Sequence, residues 1–177
     1  MPQKNKFAFV FPGQGSQSVG MLSPLAEDYP LIIETFSEAS NALGFDLWEL
    51  VKNGPESELN KTEITQPALL TAGVAMWRLW EDAGGGRPEV MAGHSLSEYT
   101  ALVCSEVITF ADTVALVAER GANSESRVVS SVGCRIACVT PSEANLRKYN
   151  KCIHSMIKLV AHKSGEASVL SGTRRGQ

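Results

Sequence analysis

The 177 residues are 44% hydrophobic and 20% charged, enough for one substantial core and too few for two complete large domains. A net charge of -3 carries no nucleic-acid signature. No basic segment leading into an apolar run opens the chain, and no run of about 18 apolar residues occurs, so neither a signal peptide nor a membrane span is expected. The cytoplasm is the expected compartment. There Cys104, Cys134, Cys138 and Cys152, with no Cys-x-x-Cys spacing and no histidine cluster, are expected as buried free thiols rather than disulfides or zinc ligands. Asn60-Lys61-Thr62 has the form of a glycosylation acceptor, which without secretion reads as chance.

Charge is unevenly spread. Residues 1–120 hold 7 Lys and Arg against 16 Asp and Glu, net -9, whereas residues 121–177 hold 9 against 3, net +6. This shift places a domain boundary near Gly121, giving a first unit over 1–121 and a second over 122–177. The basic segment suits an acidic partner or simply a solvated surface.

In chain order, Lys6 to Phe11 is an aromatic apolar run closed by Pro12-Gly13, which predicts a buried strand entering a tight loop at Gly13-Gln14-Gly15-Ser16-Gln17. Apolar residues at helical spacing predict a helix over Leu31–Leu43 stopped by Gly44. Asp46 then caps a short helix in which Trp48 is a core residue. A further helix is predicted over Gln66–Asp82, with Pro67 in its first turn and Gly84-Gly85-Gly86 beyond its end. A short strand follows at Glu89–Ala92, then a sharp turn at Ser95, then helices over Leu96–Cys104 and Phe110–Arg120. Beyond the boundary, a strand at Gly133–Val139, a capping box at Thr140-Pro141-Ser142-Glu143 opening a helix to Tyr149, and strands at Met156–Ala161 and Ala167–Leu170 make a β-α-β-β order. That order is typical of an incomplete ferredoxin-like unit.

The chemistry centres on Gly93-His94-Ser95-Leu96-Ser97. Strand, sharp turn and helix are the setting of a nucleophile elbow. The strained turn presents the serine hydroxyl, small neighbours let strand and helix close up, and the next backbone N–H faces a developing oxyanion. Position 97 carries serine where such a turn expects glycine. Its added volume is expected to cost roughly 1 to 3 kcal/mol in overpacking without destroying the elbow. His94 is a poor base for Ser95, because consecutive residues at such a turn point in different directions, and it is read as structural. His154 and His162 are read as core or surface residues, and Ser155-Met156-Ile157-Lys158 as a chance Ser-x-x-Lys. Arg120 suits a helix end, where a cation favours the dipole, and Gln66 suits a helix cap.

Phe9-Val10-Phe11-Pro12-Gly13-Gln14-Gly15-Ser16-Gln17, Ile64-Thr65-Gln66-Pro67-Ala68-Leu69-Leu70 and Gly93-His94-Ser95-Leu96 with Glu98-Tyr99 together resemble the malonyl-CoA:acyl carrier protein transacylase family. The resemblance runs nearly without a break from Phe7 to Gly121. It implies an α/β fold: a hydrolase-like core with a parallel sheet and nucleophile elbow, plus a partial ferredoxin-like small subdomain. It implies that Ser95 is the nucleophile, that Gln14 and Leu96 donate their backbone N–H groups to the oxyanion, that Arg120 clamps the malonyl carboxylate, and that Gln66 lies beside the site. Malonyl-CoA and acyl carrier protein are the implied partners, in fatty acid biosynthesis, with no cofactor and no metal.

Beyond Gly121 the likeness thins to the strand regions at Gly133–Val139 and Lys163–Gly172. No position corresponds to the family's catalytic histidine, and the segment that returns to the large subdomain is missing. Loss of a general base is expected to cost about 10² to 10⁴ in rate, and an uncovered core favours a complementing chain or self-association. Two alternatives accordingly stand beside acyl transfer: an impaired remnant that binds CoA or acyl carrier protein without turnover, and a thioester hydrolase.

Overall fold

The computed structural model describes residues 7–125 and 136–139. The elements run β1 (Ala8–Val10), α1 (Ser23–Asp28), α2 (Pro30–Leu43), α3 (Leu47–Asn53), α4 (Glu56–Leu59), α5 (Thr62–Asp82), β2 (Val90–His94), α6 (Leu96–Cys104), α7 (Phe110–Glu125) and β3 (Ile136–Val139). The chain is therefore α/β, with the sheet order β1-β2-β3. β1 pairs in parallel with β2 through Ala8 with Val90, Phe9 with Met91 and Val10 with Ala92. β3 pairs antiparallel with β2, from Met91 opposite Val139 to His94 opposite Ile136.

Strand β1 is shorter than the aromatic run suggests, and only one of its faces is covered. Side chains alternate across a strand, so Val10 is exposed while Phe9 turns inward. Its ring centroid lies 5.2 Å from that of Trp77 and 5.6 Å from that of Trp80, both on α5.

Local signals place α2 and α3 where the sequence predicts them. Gly44 takes a left-handed conformation (φ 77°) and returns its N–H to Ser40 O, ending α2. Asp46 Oδ1 accepts from Glu49 N at 2.9 Å, capping α3. Trp48 packs its ring 4.9 Å from that of Phe36, a core contact as expected.

Helices α1 and α4 were not predicted, and two of the predicted helices differ in extent. α5 begins at Thr62, four residues before the predicted Gln66, so Pro67 sits inside the helix rather than in its first turn. An interior proline forfeits a backbone bond and costs about 3 kcal/mol relative to alanine. The burial of Thr65 through Thr71, Val74, Ala75 and Trp77 along the same helix outweighs that loss, since tertiary packing dominates helix stability. α7 does not end at Arg120 but continues to Glu125, so Gly121, the predicted boundary, is a helical residue. A Cβ at Gly121 would come 2.5 Å from Glu63 Cα and 2.6 Å from Thr62 O. The glycine is there because α7 presses directly against the first turn of α5.

The core gathers around α5, which α2, α6 and α7 cover with Ile32, Phe36, Ala101, Val114 and Val117, all fully buried. Arg78 ties α2 and α7 to α5. Its Nη1 donates to Glu38 Oε2 at 2.8 Å and Thr35 Oγ1 at 3.2 Å, and its guanidinium lies 5.0 Å over the Phe110 ring.

Of the second predicted unit, Ile136–Val139 is described, and it pairs antiparallel with β2. The predicted helix to Tyr149, the strands at Met156–Ala161 and Ala167–Leu170, and His154 and His162 lie outside the described residues. No described helix is long and apolar enough to cross a membrane.

Candidate active site

The turn between β2 and α6 has the geometry that the Gly-x-Ser pattern predicts. Ser95 takes φ 56° and ψ -108°, a sparsely populated conformation for a residue with a side chain, of order 1 to 3 kcal/mol above the common regions. Its side chain is exposed. Glycine two residues earlier is what allows this turn. A Cβ on Gly93 would run into the Ser97 carbonyl and come 2.7 Å from Glu98 N. Strand and helix therefore close to backbone contact. As the first residue of α6, Leu96 has no intrahelical acceptor for its N–H, and its side chain is buried.

The loop after β1 passes alongside this turn. Phe11 N donates to Ala92 O at 3.0 Å, continuing the β1–β2 ladder by one bond. A Cβ on Gly13 would lie 3.9 Å from Ser97 Oγ and 4.0 Å from His94 O, which sets the loop in van der Waals contact with the elbow. Gln14 follows, exposed. The loop is then pinned from within. Ser16 Oγ donates to Gly13 O at 2.7 Å, Gly15 N donates to Gln17 Oε1 at 2.8 Å, and Gln17 Nε2 donates to Asn60 Oδ1 at 2.9 Å.

Arg120 reaches the elbow from α7. Its Nη2 donates to Ser95 Oγ at 2.9 Å and its Nη1 to Gln66 Oε1 at 2.6 Å. The Tyr99 ring lies 5.8 Å from the guanidinium carbon, within cation–π range. Gln66 is 2% exposed and lies in the fifth position of α5, so it is no cap. It is the buried acceptor that holds one prong of the guanidinium while the other meets Ser95 Oγ. Arg120 is likewise no helix-ending cation, because α7 runs five residues past it.

The structure thus brings Ser95, Arg120 and Gln66 into one hydrogen-bonded set and sets Leu96 and the Gln14 loop around the same turn. His94 is exposed at the last position of β2, opposite Ile136. Three contributions escape local sequence reasoning: the Tyr99 ring on Arg120, the Gln17–Asn60 tie, and the hydroxyl of Ser97. Ser97 is fully buried, and its Oγ donates to Pro12 O at 2.5 Å. The departure from glycine is a bonded side chain, not merely added volume.

The Cys104 thiol is disfavoured as a thiolate by its environment. Cys104 is buried and unpaired, and burial, with Glu81 adding and Arg78 opposing, pushes its pKa up to about 12 from an ordinary 9.0.

Residues 8–173 match the acyl transferase domain family, and the chain belongs to it. It is 57% identical over 143 residues to the malonyl CoA-acyl carrier protein transacylase of Salmonella typhimurium, covering 81% of this chain and 46% of the relative. Against the Escherichia coli protein of the same name the identity is 56% over the same span. The chain thus spans about half the length of these relatives. Among solved structures, the transacylase of Coxiella burnetii superposes with a TM-score of 0.69 at 55% identity, covering 70% of this chain and 39% of that one. A malonyl-transacylase in complex with a type II polyketide acyl-carrier protein superposes with a TM-score of 0.68 at 57% identity, over 69% and 40%.

Proposed function

We propose that this chain takes a malonyl group from malonyl-CoA onto Ser95 and passes it to acyl carrier protein, the transfer named for its relatives, and that it does so in fatty acid biosynthesis. The observation that carries this reading is the Arg120 guanidinium, held by Gln66 and resting 2.9 Å from Ser95 Oγ. A planar cationic fork beside a serine nucleophile suits an acyl group that ends in a carboxylate.

In the first half-reaction Ser95 Oγ attacks the thioester carbon. The N–H groups of Gln14 and Leu96 receive the oxyanion, and the C–S bond breaks to release CoA as its thiol. In the second, the phosphopantetheine thiol of acyl carrier protein attacks the ester carbon and Ser95 recovers its proton. Before substrate arrives, Arg120 donates to Ser95 Oγ and so occupies part of the oxygen's lone-pair density. An incoming malonyl carboxylate then draws the guanidinium to itself and uncovers the oxygen. The hydrolase-like core rests on the parallel β1–β2 pair and the elbow. The ferredoxin-like subdomain over 122–177 is carried by its β-α-β-β pattern alone.

The test is intact mass after incubation with malonyl-CoA. A malonyl adduct is expected on the wild-type chain, absent from Ser95→Ala, and discharged by holo acyl carrier protein. A folded wild-type chain that gains no adduct refutes the reading, and discharge by water alone points to a hydrolase. Arg120→Ala is expected to lower the preference for malonyl over acetyl groups by about 10- to 10²-fold, the worth of a hydrogen bond to a charged group. Unchanged preference removes Arg120 from the acyl site.

A further inference from the structure

We infer that Ser97 is a positioning residue for the oxyanion pocket: its hydroxyl sets the spacing between the two segments that supply the pocket's N–H groups. The inference rests on the acyl-transfer reading of Ser95 and adds to it a role for the residue that departs from the elbow pattern.

The two proposed donors come from different parts of the chain. Leu96 N–H belongs to the first turn of α6, and Gln14 N–H to the loop leaving β1. Up to Phe11 the two segments are held together by the β1–β2 ladder, whose last bond is Phe11 N to Ala92 O at 3.0 Å. Beyond that point the loop departs from the sheet, and the carbonyl of the next residue along it is that of Pro12. Ser97 Oγ donates to this carbonyl at 2.5 Å. The bond spans from the residue following Leu96 to a peptide two residues before Gln14. Gly13, between them, passes 3.9 Å from the same oxygen when given a Cβ.

The position of Ser97 leaves little freedom on either side. Its side chain is fully buried, and its carbonyl is the group against which Gly93 closes. The hydroxyl is therefore fixed with respect to the elbow, and whatever it bonds is fixed too. On its far side the loop is held by Gln17 to Asn60, so the stretch containing Gln14 is tethered at both ends. Glycine or alanine at 97 keeps the far tether and removes the near one. Because an oxyanion donor works only when aimed where the charge forms, deleting one costs about 10² to 10³ in rate. Loosening one is expected to cost about 10-fold.

The experiment compares Ser97→Ala and Ser97→Gly with the wild-type chain in two reactions. The first is labelling of Ser95 by an alkyl fluorophosphonate. The serine oxygen bonds to phosphorus, fluoride departs, the serine proton passes to solvent, and the phosphoryl oxygen occupies the oxyanion position without needing any malonyl recognition. The second is malonyl adduct formation, followed over a range of malonyl-CoA concentrations. Both variants are expected to label about 10-fold more slowly than wild type, and equally. The malonyl reaction should lose kcat with KM unchanged within twofold. A role in packing alone predicts instead that alanine, which keeps the Cβ, labels like wild type while glycine does not. Wild-type labelling by Ser97→Ala overturns the proposal, as does a wild-type chain that never labels. Labelling without a malonyl adduct refutes the malonyl reading and leaves the Ser97 comparison intact.

Discussion

Two glycines flank the same turn, and the structure assigns opposite consequences to giving each a methyl group. At Gly93 the added Cβ meets the Ser97 carbonyl and Glu98 N, the latter at 2.7 Å. All of these are backbone atoms of the first turn of α6, and that turn cannot slide outward without breaking the Ser97–Pro12 hydrogen bond. Relief requires moving α6 against β2. The cost belongs at the top of the range for overpacking, about 3 kcal/mol. At Gly13 the added Cβ finds only ordinary contacts, 3.9 Å to Ser97 Oγ and 4.0 Å to His94 O. The backbone there does not require glycine, so Gly13→Ala should fall within about 1 kcal/mol of wild type. Urea unfolding followed by tryptophan fluorescence measures both. With a slope of about 2 kcal/mol per molar urea, Gly93→Ala should lower the midpoint by about 1.5 M and Gly13→Ala by less than about 0.5 M. Equal midpoints, or a larger loss at Gly13, would refute the backbone contact between β2 and α6.

Two further outcomes follow from the helices. Gly121→Ala gains helix propensity of up to about 1 kcal/mol but drives a Cβ to 2.5 Å from Glu63 Cα; its urea midpoint should fall, and a rise would mean that α5 and α7 do not meet there. Cys104 has its pKa raised to about 12 from 9.0, so the folded chain favours the neutral thiol. That contribution is intact below pH 9 and is lost as pH climbs from 9 towards 12. The stability advantage of wild type over Cys104→Ala should shrink by about 1.4 kcal/mol between pH 8 and pH 10. A constant difference across that interval would contradict the burial of the thiol.

The elements governed by their own residues were legible in the sequence. Gly44 stops α2, Asp46 caps α3, and Gly93-x-Ser95 between a strand and a helix makes the elbow, because each signal is spent within four residues of where it acts. The misplaced ends have another cause. Pro67 carries a strong local meaning, helix start, and was overridden by the packing of α5, while the boundary placed at Gly121 by the charge shift falls inside α7, where that helix presses on α5. The pairing of Arg120 with Gln66 spans 54 positions, and no local pattern reveals it. Family resemblance supplied both residues, and the geometry supplied their bond. Ser97 was legible as a departure and misleading as a fault, because its partner, Pro12, stands 85 positions earlier.

The closeness of α5 and α7 at Gly121 has a mechanical side. A packed helix rocks most easily about its tightest contact, and displacement then grows with distance from that fulcrum. Phe110, at the other end of α7, lies eleven residues away, about 16 Å at 1.5 Å per residue. A 5° tilt would carry that end about 1.4 Å but move the backbone of Arg120, one residue from the pivot, only about 0.1 Å. The stretch of backbone that carries the guanidinium reaching Ser95 is thus mounted near the point of least displacement on its helix.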